Sequence, residues 1–161
     1  MWKEIGVIFL DIKEMETILY KTRELMTESD VALYEKTITE ICSYNNPKYI
    51  VNMCIGFYDD TEDEEVMFGL VHAIESIGGD NLYWTFVGIE HMKEARNWSK
   101  IILYRILNDE EEIKKVPSVM DALPQKNRKY IIDLLEEIKD EDYDMFSQSI
   151  DFILGQMKMN K

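Results

Sequence analysis

Residues that interrupt helices are scarce in this chain, which has only seven glycines and three prolines among 161 residues. No segment alternates apolar and polar residues with the period of two that half-buried β-strands show. Apolar residues instead recur every three or four positions along most of the chain, which is the spacing of one helix face. The sequence therefore predicts an all-α fold of eight or nine short amphipathic helices.

Turn and capping residues divide this helical pattern into segments. The first apolar stripe continues as far as Leu25 and Met26, and Asp30 is a favourable N-cap for a second helix. Asn45-Asn46-Pro47 breaks the pattern before a short, mostly buried helix from Tyr49 to Ile55. The first stripe begins with Trp2, Ile5, Phe9, Ile12 and Met15.

Similar boundaries occur in the second half of the chain. Gly78-Gly79 is a stop signal, and Asp80 is expected to cap the helix that comes after it. Trp98 to Leu107 is apolar on nearly every side, which predicts a central helix buried by its neighbours. Pro117 and Pro124 are expected to divide the sequence beyond that helix, and two more amphipathic helices complete the chain.

Nothing in the composition divides the chain into domains. Because no linker separates the helices, we expect one all-helical domain over residues 1–161. The regular helix lengths favour stacked helical hairpins of the α-solenoid type. An irregular helical bundle is the alternative, since the sequence has no strict repeat period.

A run of acidic residues precedes one of these helices. Six of the seven residues from position 59 to position 65 are acidic. Carboxylates near a helix start offset the partial positive charge of its N–H groups, but two or three would suffice. The surplus must be balanced by a metal, a cationic protein, or only water and counter-ions. The six acids are Asp59, Asp60, Glu62, Asp63, Glu64 and Glu65.

The whole chain is acidic as well, with 18 basic and 32 acidic residues and a net charge of −14. This field repels phosphate backbones and anionic lipids, so direct binding to nucleic acid or to membranes is disfavoured. A basic protein partner is favoured, because opposite fields speed encounter. Solubility alone is the other explanation of the excess.

The cysteines and the N-terminus indicate the cellular compartment of the protein. Cys42 and Cys54 form no CxxC pair and stand in apolar contexts, which indicates small core residues in a reducing compartment. The short apolar run from Ile5 to Leu10 is followed by acids and lacks a cleavage site, so it is neither a signal peptide nor a membrane span. We therefore expect a cytoplasmic protein, and the sequence leaves its oligomeric state open.

Metal sites find little support in the residue spacing. Matched to a calcium-binding EF-hand loop, the acidic run has Glu64 where glycine is needed and Leu70 where the bidentate glutamate is needed. Two His-x-x-Glu pairs could each share a helix face, but such pairs are usually surface ion pairs. The pairs are His72 with Glu75 and His91 with Glu94.

An enzymatic function is not indicated either. A nucleophilic enzyme needs an oriented base beside Ser or Cys, yet the chain has two histidines and no GxSxG or glycine-rich phosphate loop. Acid pairs are too abundant here to indicate glycoside hydrolysis. We therefore expect a non-enzyme with no cofactor and no metal.

A few charged and aromatic residues are candidates for specific contacts. Arg105 lies in an apolar run and must be paired if it is buried, with Glu75 or an acid of the 59–65 run as partner. A structural ion pair that orients two helices is the favoured interpretation. Tyr58, Tyr83 and Trp84 could be core residues or interface anchors beside the acidic run.

The segment from about Ile50 to Glu137 resembles the immunity protein 30 family of bacterial polymorphic-toxin systems. The resemblance rests on Tyr58 to Ser76, on Ala95 to Trp98, and on Ile101 to Asn108. It implies a cytoplasmic binding protein that captures the toxic domain of a co-encoded effector, and many such effectors are nucleases. The family contributes no catalytic residues to this chain.

These observations lead to one hypothesis and two rivals. The favoured hypothesis is an all-α immunity protein that occludes its toxin by tight stoichiometric binding through the acidic run, Tyr58, Tyr83 and Trp84. Reversing the charges of Glu62, Asp63 and Glu64 is expected to slow that association. The rivals are a helical scaffold or adaptor that binds a basic cellular partner, and a metal-dependent carboxylate enzyme.

Overall fold

The computed structural model describes residues 10–158, in which nine α-helices and no β-strand occur. The all-α prediction is confirmed. A 3-10 turn, Pro47–Tyr49, leads directly into the third helix. The helices are α1 (Ile12–Thr22), α2 (Glu28–Ser43), α3 (Ile50–Cys54), α4 (Glu64–Ser76), α5 (Asn81–Ile89), α6 (Arg96–Leu107), α7 (Glu110–Ala122), α8 (Gln125–Glu141) and α9 (Tyr143–Gln156).

The starts of the first two helices differ from those expected. Asp11 caps α1 by accepting a hydrogen bond from the Glu14 backbone N–H at 2.8 Å. The predicted residues Trp2, Ile5 and Phe9 lie outside the described part of the chain. The cap of α2 is Thr27, whose hydroxyl accepts from the Asp30 N–H at 3.1 Å. Asp30 instead lies in the first turn, where its carboxylate still favours the helix.

Two predictions about the later helices are wrong. Helix α6 is not buried all round, because Arg105 is exposed and its neighbours Tyr104 and Ile106 are only half-buried. Pro117 does not separate two helices, because α7 runs through it. Proline removes one backbone hydrogen bond from a helix, and burial of its ring here offsets part of that loss.

The helices pack largely in chain order. The pairs with the most extensive contact are α1 with α2, α3 with α5, and α8 with α9. Helix α2 also packs on α4, and α7 packs on α9, so helices two positions apart in the chain contact each other. Helix α5 also contacts α8, and α6 contacts α9, so some contacts join helices three positions apart in the chain.

The interior is apolar and continuous. Buried side chains from all nine helices contribute to one hydrophobic cluster. Cys54 lies in that cluster and Cys42 lies at its edge, and both thiols are free. Of the helices within residues 10–158, none is both long and apolar enough to cross a bilayer.

Candidate partner-binding surface

The acidic run is divided between a loop and a helix start. Asp63 is the N-cap of α4, and its carboxylate accepts a hydrogen bond from the Val66 N–H at 3.1 Å. Glu64 and Glu65 occupy the first turn of that helix, where they complement its dipole. Residues 59–62 precede the helix as a loop, which we call the acidic loop. Only half of the six acids therefore belong to the helix that the run introduces.

Asp59 caps a different helix. Helix α6 begins after Ala95, which has no side chain that could accept a hydrogen bond. The Asp59 carboxylate supplies the acceptors instead, bonding the backbone N–H groups of Asn97 at 3.0 Å and Trp98 at 3.3 Å. The acidic loop is thereby fastened to α6, with a carboxylate at the positive end of that helix.

Replacing Asp59 with alanine is expected to lower the free energy of unfolding by about 1 kcal/mol, the usual cost of losing a helix cap. The matched control is Asp60→Ala, since Asp60 is exposed and makes no side-chain hydrogen bond in the described structure. Urea denaturation of the two variants measures the difference. Equal stabilities would contradict the capping role of Asp59.

A buried arginine supports the segment just before the acidic loop. Arg23 follows α1 and is only 8% exposed. Its guanidinium donates to the carbonyls of Ile55 at 3.3 Å and Phe57 at 3.4 Å. The Tyr34 hydroxyl donates to the carbonyl between them, Gly56, at 2.8 Å. Burial raises the pKa of Tyr34 despite the nearby Arg23 charge, so this hydroxyl stays neutral and remains a donor.

Two tyrosines enclose the same guanidinium. The rings of Tyr20 and Tyr58 lie 4.3 Å and 4.7 Å from the Arg23 guanidinium carbon, within cation–π range. Glu94 completes the environment with a hydrogen bond of 3.0 Å from Arg23 Nη2. Tyr58 is half-buried and packs against the core, whereas Tyr20 is 52% exposed. No sequence pattern indicated that Arg23 and Tyr20 would pack together with Tyr58.

Backbone and side-chain bonds attach the loop to the end of α1. The Thr61 hydroxyl donates to the Arg23 carbonyl at 3.0 Å, and the Glu62 N–H donates to the Glu24 carbonyl at 2.9 Å. Met26, which is 62% exposed, lies two residues beyond this contact. The loop is thus held between α1 on one side and α6 on the other.

Four acids of the run face solvent without a partner. Each is exposed, and within residues 10–158 no basic side chain lies within ion-pair distance of any of them. Two exposed apolar side chains, those of Tyr20 and Met26, belong to the chain segment around Arg23 and Glu24 to which the loop is bonded. We call these residues together with Tyr58 the acidic loop surface. The four acids are Asp60, Glu62, Glu64 and Glu65.

Tyr83 and Trp84 lie elsewhere. The Asn81 amide donates to the carbonyls of Ile74 at 2.6 Å and Ile77 at 2.7 Å, which ties the start of α5 to the end of α4. The acidic run is at the opposite end of α4, which has 13 residues and is about 20 Å long at 1.5 Å per residue. The two rings contact each other edge to face and are both half-buried. The structure therefore separates these aromatics from the acidic loop surface.

Arg105 and Glu75 also belong to that second region. Arg105 Nε and Nη2 donate to the two carboxylate oxygens of Glu75, at 2.7 Å and 3.0 Å, and so link α6 to α4. Hydrogen bonding to Glu75 raises the pKa of Arg105 despite partial burial. Both side chains are about two-fifths exposed, at 42% and 43%. Arg105 is therefore a paired surface residue and not a buried one.

A comparison with models of protein families identifies the family of this chain. The model described as Immunity protein 30 matches residues 21–116, well over half of the chain. The chain belongs to the immunity protein 30 family. The match begins at Lys21, earlier than the resemblance near Ile50 suggested, and so includes Arg23 as well as the acidic run. Neither a curated protein nor a solved structure matches the chain.

The histidines, the cysteines and their acidic neighbours form no catalytic or metal-binding cluster among the described residues. Both glutamates of the His-x-x-Glu pairs bond to arginines, Glu75 to Arg105 and Glu94 to Arg23. Among the described residues no group of three or more His, Cys, Asp or Glu side chains is arranged to hold a metal. Burial raises the pKa of the Cys54 thiol to about 12, so it is a neutral core group. The acidic loop surface presents exposed anions to solvent.

Proposed function

We propose that this protein neutralises the toxic domain of a co-encoded bacterial effector in the cytoplasm by binding it stoichiometrically. Membership of the immunity protein 30 family is the observation that carries the proposal. Such a protein acts as a non-catalytic inhibitor and needs no cofactor. Its partner is a protein toxin, and neither nucleic acid nor a membrane is bound directly.

The acidic loop surface is the proposed centre of contact. Its four exposed carboxylates have no ion-pair partner within residues 10–158, so a basic toxin could pair with them without breaking an ion pair there. Asp59 and Asp63 hold the loop in place and limit the entropy lost on binding. Tyr20 and Met26 supply exposed apolar area on the segment to which the acidic loop is bonded.

A nuclease is the toxin class that this surface fits best. A nuclease must carry a basic groove for the phosphate backbone of its substrate. Carboxylates placed in that groove would occupy it and exclude the substrate. The net charge of −14 would also steer the two proteins together. Tyr83 and Trp84 are proposed as anchors of a separate part of the interface.

A helical adaptor for a basic cellular protein is the second candidate, because unpaired exposed acids would serve that role equally well. Expression of the neighbouring effector's C-terminal domain in cells separates the two functions. An immunity protein restores growth of those cells, whereas an adaptor does not. A toxin gene immediately upstream of this one would also favour immunity.

Calorimetric titration tests the proposal directly. The probe is the C-terminal domain of the large secreted protein encoded beside this chain, titrated at two salt concentrations. We expect one-to-one binding with a dissociation constant of about 1 nM that weakens as salt is raised. Absence of binding, together with no rescue of growth, would refute the immunity function.

Charge reversal tests the contact surface. Converting the four free acids of the acidic loop surface to lysine is expected to slow association about tenfold or more at low salt and to flatten the salt dependence. Asp63 is left unchanged because its reversal would also remove the cap of α4. Stopped-flow mixing with the same toxin domain measures the rate.

The control variant reverses four exposed acids of α8 and α9, and so changes the net charge by the same amount. If both variants slow association equally, only the overall field matters and the acidic loop surface is not the contact. The control acids are Asp133, Glu136, Asp140 and Asp144.

A further inference from the structure

An open groove lies between α4, α5, α6 and α7, away from the acidic loop surface. Its volume is about 800 Å³. Apolar side chains form much of its lining, and several of them are only half-buried and thus accessible from solvent. The corner between α4 and α5 is fixed by the two Asn81 hydrogen bonds, so the groove is preformed. The apolar lining includes Ile77, Tyr83, Ile106 and Val119.

Most charged groups at the rim already have partners. Arg105 is bonded to Glu75, and Lys115 is bonded to Glu112 at 2.9 Å. Asp109 is the N-cap of α7 and accepts hydrogen bonds from two backbone N–H groups. Because these groups already have partners within the protein, they do not need a ligand to neutralise their charge.

Asp80 is different. It occupies the N-cap position of α5, yet its side chain makes no capping hydrogen bond. Its carboxylate is exposed at the rim, and no basic side chain of residues 10–158 lies within ion-pair distance. The groove thus combines an apolar lining with the exposed carboxylate of Asp80 at its rim. This combination is complementary to an apolar side chain that has a cation next to it.

These features fit a protein segment better than a small molecule. Small-molecule sites use buried polar groups to orient their ligand, and no buried polar side-chain atom in the described structure lacks a partner. Protein interfaces combine an apolar centre with a charged rim. The groove has this second composition.

We propose that the groove binds a segment of the toxin that presents an apolar side chain beside a lysine or arginine. The apolar side chain would pack on Tyr83, Ile106 and Val119, while the cation pairs with Asp80. This inference rests on the proposed immunity function and adds a second point of contact, toward the end of α4 that is opposite the acidic run.

The test fills the groove from an exposed position. Ser118 lines the groove and is exposed, so Ser118→Trp adds bulk there without disturbing the core. The matched control is Thr39→Trp, on the exposed face of α2 and outside the groove. Calorimetry with the neighbouring effector's C-terminal domain is expected to show affinity at least about tenfold weaker for Ser118→Trp and unchanged for Thr39→Trp. Asp80→Lys is expected to weaken binding several-fold.

The outcomes separate the two proposals. If wild type binds and Ser118→Trp binds as tightly, the groove is not a contact and the immunity function stands. If wild type neither binds nor rescues growth, the immunity function fails and the groove inference fails with it. Thermal unfolding of Ser118→Trp, expected to match wild type, shows that any loss of binding is not a loss of folding.

Discussion

Replacing Arg23 with methionine is expected to lower the free energy of unfolding by about 3 kcal/mol. Methionine keeps the apolar stem but leaves the carbonyls of Ile55 and Phe57 without their donor. It also removes the cation between the rings of Tyr20 and Tyr58. Glu94 adds little to the loss, since its side chain is 64% exposed and can be hydrated. Urea denaturation measures the change.

Arg96→Met is the matched control for this variant. Arg96 is also paired with a glutamate, Glu137, at 2.6 Å, but its side chain is 44% exposed. An exposed pair of this kind contributes at most about 1 kcal/mol. If the two variants lose the same stability, the Arg23 side chain does not support the segment before the acidic loop as described. Faster amide exchange in residues 59–63 of Arg23→Met would show that the loop itself is loosened.

The structure changes the meaning of the acidic run. By sequence alone, two or three acids suffice for one helix start, and the others are surplus. The run in fact serves two helix starts, with Asp63 capping α4 and Asp59 capping α6. Glu64 and Glu65 combine a place in the first turn of α4 with exposure to solvent. Only Asp60 and Glu62 have a side chain with no role in a helix start.

The helices could be predicted because apolar spacing is a local property of the chain. The errors at their boundaries are also local, such as the shift of three positions from the predicted cap Asp30 to the observed cap Thr27. Asp59 could not be assigned to α6 in this way. Its partner Asn97 lies 38 residues further along, and only the packing of the helices brings them together.

The composition of the site was harder to predict for the same reason. Arg23 follows the last turn of α1, where a cation is ordinarily exposed and complements the helix dipole. Its burial depends on carbonyls more than 30 residues away. The chemistry of Tyr83 predicts an anchor beside the acidic run. The length of α4 places it at the other end of that helix, where it borders the groove instead.

Replacing Gly88 with alanine is expected to cost about 3 kcal/mol of stability, because α5 crosses α3 at this residue with no room for a methyl group. A Cβ at Gly88 would lie 2.5 Å from Cys54 Sγ and 3.4 Å from Val51 Cα. Cys54 is itself buried and cannot move aside freely. Gly69→Ala is the control, since no atom lies within 4 Å of the added Cβ. It is expected to gain up to about 1 kcal/mol from helix propensity.

A second substitution identifies the obstacle. In a Cys54→Ala background the sulfur is gone, and the nearest remaining atom is Cys54 Cβ at 3.3 Å, a tight contact that small shifts can relieve. Gly88→Ala should then cost only about 1 kcal/mol, which gives a coupling of about 2 kcal/mol in the double-mutant cycle. Urea denaturation of the four proteins measures it. An equal cost of Gly88→Ala in both backgrounds would mean that the backbone of α3, and not the thiol, sets the distance between the two helices.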